Sequence, residues 1–155
     1  MIRADDLIIR PAIPGDHKSI LNLYAQPDYN GASLDASAGE VVFAAMATYP
    51  HFVPYVAELE GDIVASFCLM VFANPAHMGM PIALIENVVV HEAYQGIGVG
   101  KALMDHAGQT ASEMGAYKLI LATGLKRTRA HQFYEDLGFE RYGYSYGLPL
   151  RELPQ

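Results

Sequence analysis

The chain has 155 residues, 52% of them hydrophobic and 17% charged, a size and balance that fit one globular domain over residues 1–155 with a single buried core and exclude a disordered chain. Its net charge of −7 argues against general nucleic-acid binding, which needs a basic face. The single cysteine, Cys68, excludes an intramolecular disulfide and fits a small buried hydrophobe in a protein of the reducing cytoplasm.

Leu7-Ile8-Ile9-Arg10 reads as a first strand that stops at Pro11. Before it, Met1 to Asp6 lack the basic-then-apolar layout of a signal peptide. Pro14-Gly15-Asp16 turns the chain, and Asp16 is placed to cap a helix running to about Ala25. Residues 26–34, with Pro27, Asn30 and Gly31, form a loop. Ser37-Ala38-Gly39-Glu40 has capping-box spacing, which predicts a second helix from Ala38 to about Thr48, ended by Pro50. Residues 53–59 and 63–72 are two strands joined by the turn Glu60-Gly61-Asp62.

A loop over 74–81 leads to the apolar run 83–90, predicted as a central buried strand. A helix follows over 99–114, closed by Gly115, and then a strand over 118–122. Ala130, Phe133, Tyr134 and Leu137 recur at the spacing of one apolar helix face. Gly138 stands where a Schellman-type stop needs a glycine, and Phe139 supplies its apolar contact. Residues 139–142 and 144–148 are predicted as closing strands. The order β α α β β β α β α β β implies an α/β fold with a mixed sheet flanked by helices. Glu, Asn, Asp, Pro or Gly interrupts every apolar stretch before it could span a bilayer, so no membrane role is expected.

Between the strand at 83–90 and the helix at 99–114 lies Gln95-Gly96-Ile97-Gly98-Val99-Gly100-Lys101. Glycines let a backbone curl with no side chain in the way. The N–H groups that open the helix then point into the curl, and the helix dipole favours negative charge there. The natural guest is a phosphate or pyrophosphate. A dinucleotide fold would carry its glycines in the first βα unit and an acid at the end of the next strand. Here the turn falls past the middle of the chain, and the next strand ends Ala122-Thr123-Gly124. A P-loop needs Ser or Thr after Gly-Lys, and Ala102 follows Lys101.

Gln95-Gly96-Ile97-Gly98-Val99-Gly100 resembles the Gln/Arg-x-x-Gly-x-Gly/Ala signature of the GCN5-related N-acetyltransferases, the GNAT family. Ala130-His131-Gln132-Phe133-Tyr134-Glu135-Asp136-Leu137-Gly138-Phe139 is similar to the family's Ala-x-x-Phe/Leu-Tyr-x-x-x-Gly-Phe segment, and the two stand in the family's order. The resemblance implies the GNAT fold, with a mostly antiparallel sheet, and acetyl transfer from acetyl-CoA to an amine without a metal. It implies that the amides of Gln95, Gly96, Ile97, Gly98, Val99, Gly100 and Lys101 hold the pyrophosphate. It also implies that the pantetheine arm runs beside Val88, Val89 and Val90 like an added strand, at a bulge where the sheet splays.

By the same resemblance Tyr134 is the general acid that meets the departing thiolate; helix periodicity alone would read it as a core aromatic. Glu86 interrupts an apolar strand. It is a candidate base for the incoming ammonium, and equally a substrate ligand or a solvent-facing residue of an alternating strand. Where family members often carry an Asn seven residues before the Tyr, this chain has Arg127, which could pair with cofactor phosphates instead or open the helix as an exposed charge. Lys126 to Tyr134 is also similar to the aminoalkylphosphonate branch and Ile85 to Val88 to the glucosamine-phosphate branch, neither match long enough to name a substrate. The histidines, His91, His106 and His131 among them, show no metal-ligand spacing, and His131 fits a surface or structural role.

No Lys or Arg occurs between Ser19 and Gly100, whereas acids do. A phosphorylated amine wants a cationic clamp, and Arg10, Arg141 and Arg151 are the candidates left for one. The expected acceptor is a small cationic or neutral primary amine, in a cleft that Tyr24, Tyr29, Tyr49, Tyr142, Tyr144 and Tyr146 could line. Two other readings stay open: a non-catalytic acyl-CoA sensor, and transfer onto protein N-termini or lysines. A homodimer is expected from C-terminal edge strands that need cover.

Overall fold

The structure, a computed structural model, describes residues 2–154. Five strands, β1 (Leu7–Pro11), β2 (Phe52–Leu59), β3 (Asp62–Phe72), β4 (Ile82–Val90) and β5 (Leu119–Ile120), lie side by side in that order. The first three neighbours pair antiparallel and β4 pairs with β5 in parallel, through only Ala83–Leu119 and Leu84–Ile120. The helices are α1 (His17–Tyr24), α2 (Ala36–Met46), α3 (Val99–Glu113) and α4 (Thr128–Asp136). The mixed, mostly antiparallel α/β sheet expected from the sequence is thus present.

The chain divides into two compact units, the first ending at Leu121 and the second beginning at Ala122. In the first, β3 is buried at six successive positions, Val64 to Leu69. Successive strand residues face opposite ways, so both faces of the sheet are covered. Val56 of β2 joins Ile20, Leu21 and Phe43 in a buried cluster with α1 and α2. Its neighbour Tyr55 stacks on Phe67 at 5.0 Å and meets His106 of α3 edge-on at 5.6 Å. The two-residue turn between β2 and β3 holds Glu60 at φ 51° and Gly61 at φ 91°, the two positive dihedrals that match a hairpin's right-handed twist.

Two helix starts differ from expectation. The Asp16 carboxylate makes no cap bond to α1. It accepts both Nη atoms of Arg10, at 2.7 and 3.1 Å, and the Ile13 N–H at 2.8 Å. Arg10 also donates to Glu58 at 3.1 Å. A bidentate charge-assisted pair outweighs a single N-cap bond. Helix α2 begins two residues early because Asp35, not a residue of the capping-box sequence, accepts the Ala38 N–H at 2.8 Å.

The second unit contains α4 and irregular chain. Its helix stops as the sequence predicts: Gly138 takes φ 91°, its N–H donates to the Glu135 carbonyl, and the Phe139 N–H donates to the Tyr134 carbonyl, each at 3.0 Å. The closing strands expected over 139–142 and 144–148 are not formed. A strand needs a partner edge, and among the described residues this unit forms no other strand. Tyr144 and Tyr146 are each 90% exposed.

Arg10 holds the Asp16 carboxyl well below the usual carboxylate range, against the burial that would raise it, and the Ile13 N–H helps. The folded state therefore takes up this proton less readily than the unfolded chain. The resulting stability is complete above about pH 4 and is lost as pH falls through the lower folded value. Arg10→Met leaves a buried carboxylate unpaired, and denaturant titration at pH 7 should show a loss of about 3 kcal/mol. The difference from the unsubstituted protein should shrink as Asp16 is protonated.

Candidate active site

An irregularity in β4 shapes the site. Ser66 pairs with Val89 and Cys68 with Glu86, so Asn87 and Val88 together oppose Phe67. Asn87 absorbs the extra residue at φ 54°, a left-handed conformation that Asn tolerates better than most residues. This bulge reverses which way the later amides point. Before it, the Ala83 N–H donates toward β5, to Lys118 at 3.0 Å, and Ile85 follows by alternation. After it, the His91 N–H donates to Val64 of β3 at 2.8 Å. Alternation then aims the Val89 amide at β3 and the Val88 and Val90 amides away from it. Since β5 ends at Ile120, beside Leu84, the stretch of β4 carrying those two amides has, among the described residues, no strand beside it on that side.

The turn beyond β4 holds Gly96 at φ 75° and Gly98 at φ 103°. Gly98 is the N-cap of α3 and has no side chain to offer the helix. The first N–H satisfied within the helix is that of Ala102, which donates to Gly98 at 3.1 Å. Val99, Gly100 and Lys101 therefore present N–H groups with no intrahelical partner at the positive end of a 15-residue helix. A Cβ on Gly96 would meet nothing within 4 Å, so the curl is open. This donor set fits a pyrophosphate. The Lys101 ammonium turns to Asp105, one helical turn on. The Gln95 side chain donates to Asp28 at 2.7 Å and to the Val90 carbonyl at 3.1 Å.

On the α1 face of the bulge sits a polar cluster. Tyr24 and Tyr29 stack at 5.4 Å. The Tyr29 hydroxyl donates to Asn87 Oδ1 at 3.4 Å, and Asn87 Nδ2 lies 3.9 Å from Cys68 Sγ. Burial, above all, pushes the Tyr24 phenol far up, and it pushes the Cys68 thiol up as well, so both stay neutral near pH 7. Glu86, paired with Cys68 across the strands, shares its face. Of the placements open to Glu86 in the sequence, the structure gives the solvent-facing one: it is exposed. The bulge lifts Glu86 and Asn87 to the surface between buried Ile85 and Val89. Tyr49 is not part of this cluster; it packs against Phe52 at 6.3 Å.

In the second unit, Tyr134 lies on α4, half-buried between Phe133 and Phe139, with ring centroids 5.1 and 5.7 Å away. Burial raises its phenol, and the Arg127 charge partly opposes the rise. Arg127 is exposed at the N-cap of the same helix. His131 Nε2 lies 2.8 Å from the Gly124 carbonyl and ties the helix to its leading loop. Tyr142, Tyr144 and Tyr146 are exposed. Among the described residues no group of three or more His, Cys, Asp or Glu could hold a metal ion.

Sequence reasoning passed over Gln26 and Asn87. Gln26 is 9% exposed, and its side-chain amide bonds the β4 end. Nothing at the sequence level distinguishes it from any polar residue after a helix. Asn87 did leave a trace, since Glu86-Asn87 are two polar residues in succession and break the alternation of a strand.

The chain matches the model of the Acetyltransferase (GNAT) family over residues 17–139. It is 30% identical over 141 residues to the 5-NmdU N-acetyltransferase of Pseudomonas phage PaMx11, covering 91% of this chain and 92% of that one. Over 82 residues it is 38% identical to glucosamine 6-phosphate N-acetyltransferase of Trypanosoma brucei brucei, covering 53% and 54% of the two chains. A crystal structure of a Trypanosoma brucei acetyltransferase superimposes with a TM-score of 0.79 at 30% identity, covering 94% of this chain and all of that one, 100%. The protein belongs to the GNAT family and is an acyltransferase that uses acetyl-CoA as co-substrate.

A side chain at residue 98 would have to accept a backbone dihedral suited to glycine, at a cost of about 1–3 kcal/mol. Calorimetry with coenzyme A should show roughly tenfold weaker binding for Gly98→Ala, with a helix content by circular dichroism equal to that of the unsubstituted protein.

Proposed function

We propose that residues 1–155 act as one N-acetyltransferase domain that moves the acetyl group of acetyl-CoA to the primary amine of a small cationic or neutral molecule by direct attack. The observation that carries this reading is the pairing of two positive-φ glycines at the head of α3 with a bulged β4 whose Val88 and Val90 amides face away from β3. The residues 95–101 would bind the pyrophosphate, with Arg127 as a further cation for cofactor phosphates. The edge over 88–90 would take the pantetheine arm, chiefly through Val88 and Val90, and polarise the thioester carbonyl.

In this reading the amine nitrogen forms a bond to the thioester carbonyl carbon, and the carbon–sulfur bond then breaks. Glu86 takes the proton that the ammonium must lose, directly or through a water, and its exposure leaves it open to both. Tyr134 gives a proton to the departing sulfur. Its raised phenol keeps the donor form through neutral pH, as a general acid requires.

The acceptor class follows from charge. Residues 19–100 carry no Lys or Arg. Arg10 is held by Asp16 and Glu58, and Arg141 by Glu135, which leaves little to clamp a phosphate. Around the β4 bulge stand the acid Glu86 and the rings of Tyr24 and Tyr29, suited to an ammonium. Both relatives are named as N-acetyltransferases. The one named for a phosphorylated sugar matches about half of this chain.

We further assign the protein to the cytoplasm; among the described residues no helix is long and apolar enough to cross a membrane. We also propose a homodimer. Tyr142, Tyr144, Tyr146, Leu148 and Leu150 are all exposed at a period of two, the pattern of a strand awaiting an edge.

A thiol-release assay should show turnover of polyamines or amino-acid amines above that of glucosamine phosphate and aminoalkylphosphonates. The opposite preference overturns the acceptor class. Tyr134→Phe should lower kcat by about a hundredfold with coenzyme A affinity unchanged; unchanged turnover removes Tyr134 from the chemistry, and no thiol release with any amine favours a sensor. Any alkaline loss of rate from ionisation of Tyr134 should begin only above about pH 10. Sedimentation should give a dimer that becomes a monomer when residues 142–155 are deleted.

A further inference from the structure

Gln26 comes just past the Ala25 cap of α1, yet its side chain bonds the far end of β4. Its Oε1 accepts the Glu92 N–H at 2.8 Å, and its Nε2 donates to the Val90 carbonyl at 3.4 Å. One amide that bridges the carbonyl of residue 90 and the N–H of residue 92 reproduces the bonding of a parallel strand opposite His91. The His91 N–H itself faces the other way, to Val64. The side chain of Gln26 therefore stands where the next residue of a neighbouring strand would be. The Gln95 side chain adds a second donor to the same Val90 carbonyl.

The backbone of Gln26 organises the loop that follows. Its carbonyl accepts the N–H of Tyr29 at 3.0 Å and of Gly31 at 2.9 Å. Tyr29 then reaches Asn87 at the bulge, and Asp28 reaches Gln95 at the glycine turn. One buried residue thus ends the open edge of β4 and folds the loop 26–31 against it.

We propose that Gln26 is a positioning residue that gives the acceptor loop and the thioester arm a common anchor. This rests on the reading that acetyl-CoA lies along β4. With the Val90 carbonyl already bonded, an incoming strand-like arm has Val88 and the Val90 N–H to pair with and stops there, which sets how far along the edge it lies. Because the side-chain amide fixes Gln26 to the β4 end and the backbone carbonyl of the same residue holds the Tyr29 and Gly31 N–H groups, filling the edge stiffens the loop. Occupation of the coenzyme site is read at the acceptor site through a hydrogen-bonded contact, with no shift of a helix required.

Amide hydrogen exchange with and without saturating acetyl-CoA tests this. In the unsubstituted protein, acetyl-CoA should slow exchange about tenfold both over residues 96–101 and over 26–34. In Gln26→Ala the slowing should persist over 96–101 and vanish over 26–34. Gln26→Glu keeps the size and the acceptor for Glu92 but loses the donor to Val90, so it should lie between the two. It also carries the test if Gln26→Ala does not fold. Equal protection of 26–34 in all three proteins overturns the inference while leaving the coenzyme site intact. No slowing over 96–101 in the unsubstituted protein overturns the acetyl-CoA reading, and the inference with it.

Discussion

One additional residue in β4 decides where half of that strand's hydrogen-bonding groups go. An antiparallel ladder uses alternate amides, and the others serve the neighbour on the opposite side. Up to Ile85 the outward set pairs toward β5. Asn87 at φ 54° then shifts the count by one, so that Val88 and Val90 face outward instead, just where β5 has ended. Had the strand run straight, Val89 would face outward and a different pair of side chains would be buried. The anion-ready turn, the polar cluster and the Gln26 contact are all arranged around this change of phase.

Charge is distributed along the same line. At one end stands the positive terminus of α3, with N–H groups and no side-chain cap. At the other, on the α1 face, stands the acid Glu86, and the phenol and thiol beside it are kept neutral by burial. Under the proposed function, a coenzyme that is anionic at one end and meets an ammonium at the other would be matched along β4. The separation needs no ion pair across the site, so neither end carries the desolvation cost of a buried charge.

Local chemistry was legible in the sequence wherever one residue type has one steric reason to be there. Gly138 after an apolar helical face announced the stop of α4, Glu60-Gly61 announced the hairpin, and Gly96 and Gly98 announced the turn. Competition between residues was not legible. Asp16 looks like a cap until Arg10, six residues earlier, claims both its oxygens, and Asp35 caps α2 ahead of the capping-box sequence that starts at Ser37. A bulge in this strand is expected from the family resemblance, and Glu86-Asn87 break the alternation, but the residue that absorbs it depends on pairing register with β3, some twenty residues away. Gln26 was hidden for the same reason, since its partners are 64 and 66 residues on. Residues 139–142 and 144–148 read as strands, the latter with apolar alternation, yet form none. Periodicity reports which faces are apolar, whereas a strand also needs an edge to join.

Strand β1 shows how the opposite side of the sheet is finished. It is five residues long, pairs with β2 alone, and ends in Pro11. A proline has no N–H to offer a newcomer, and Arg10 beside it is a charge that a stacked copy would have to strip of water. Growth of the sheet from this side, the first step toward fibrous aggregation, is thereby discouraged at its template. The molecule can carry a long apolar β3 through its centre and still leave no inviting outer rim along β1.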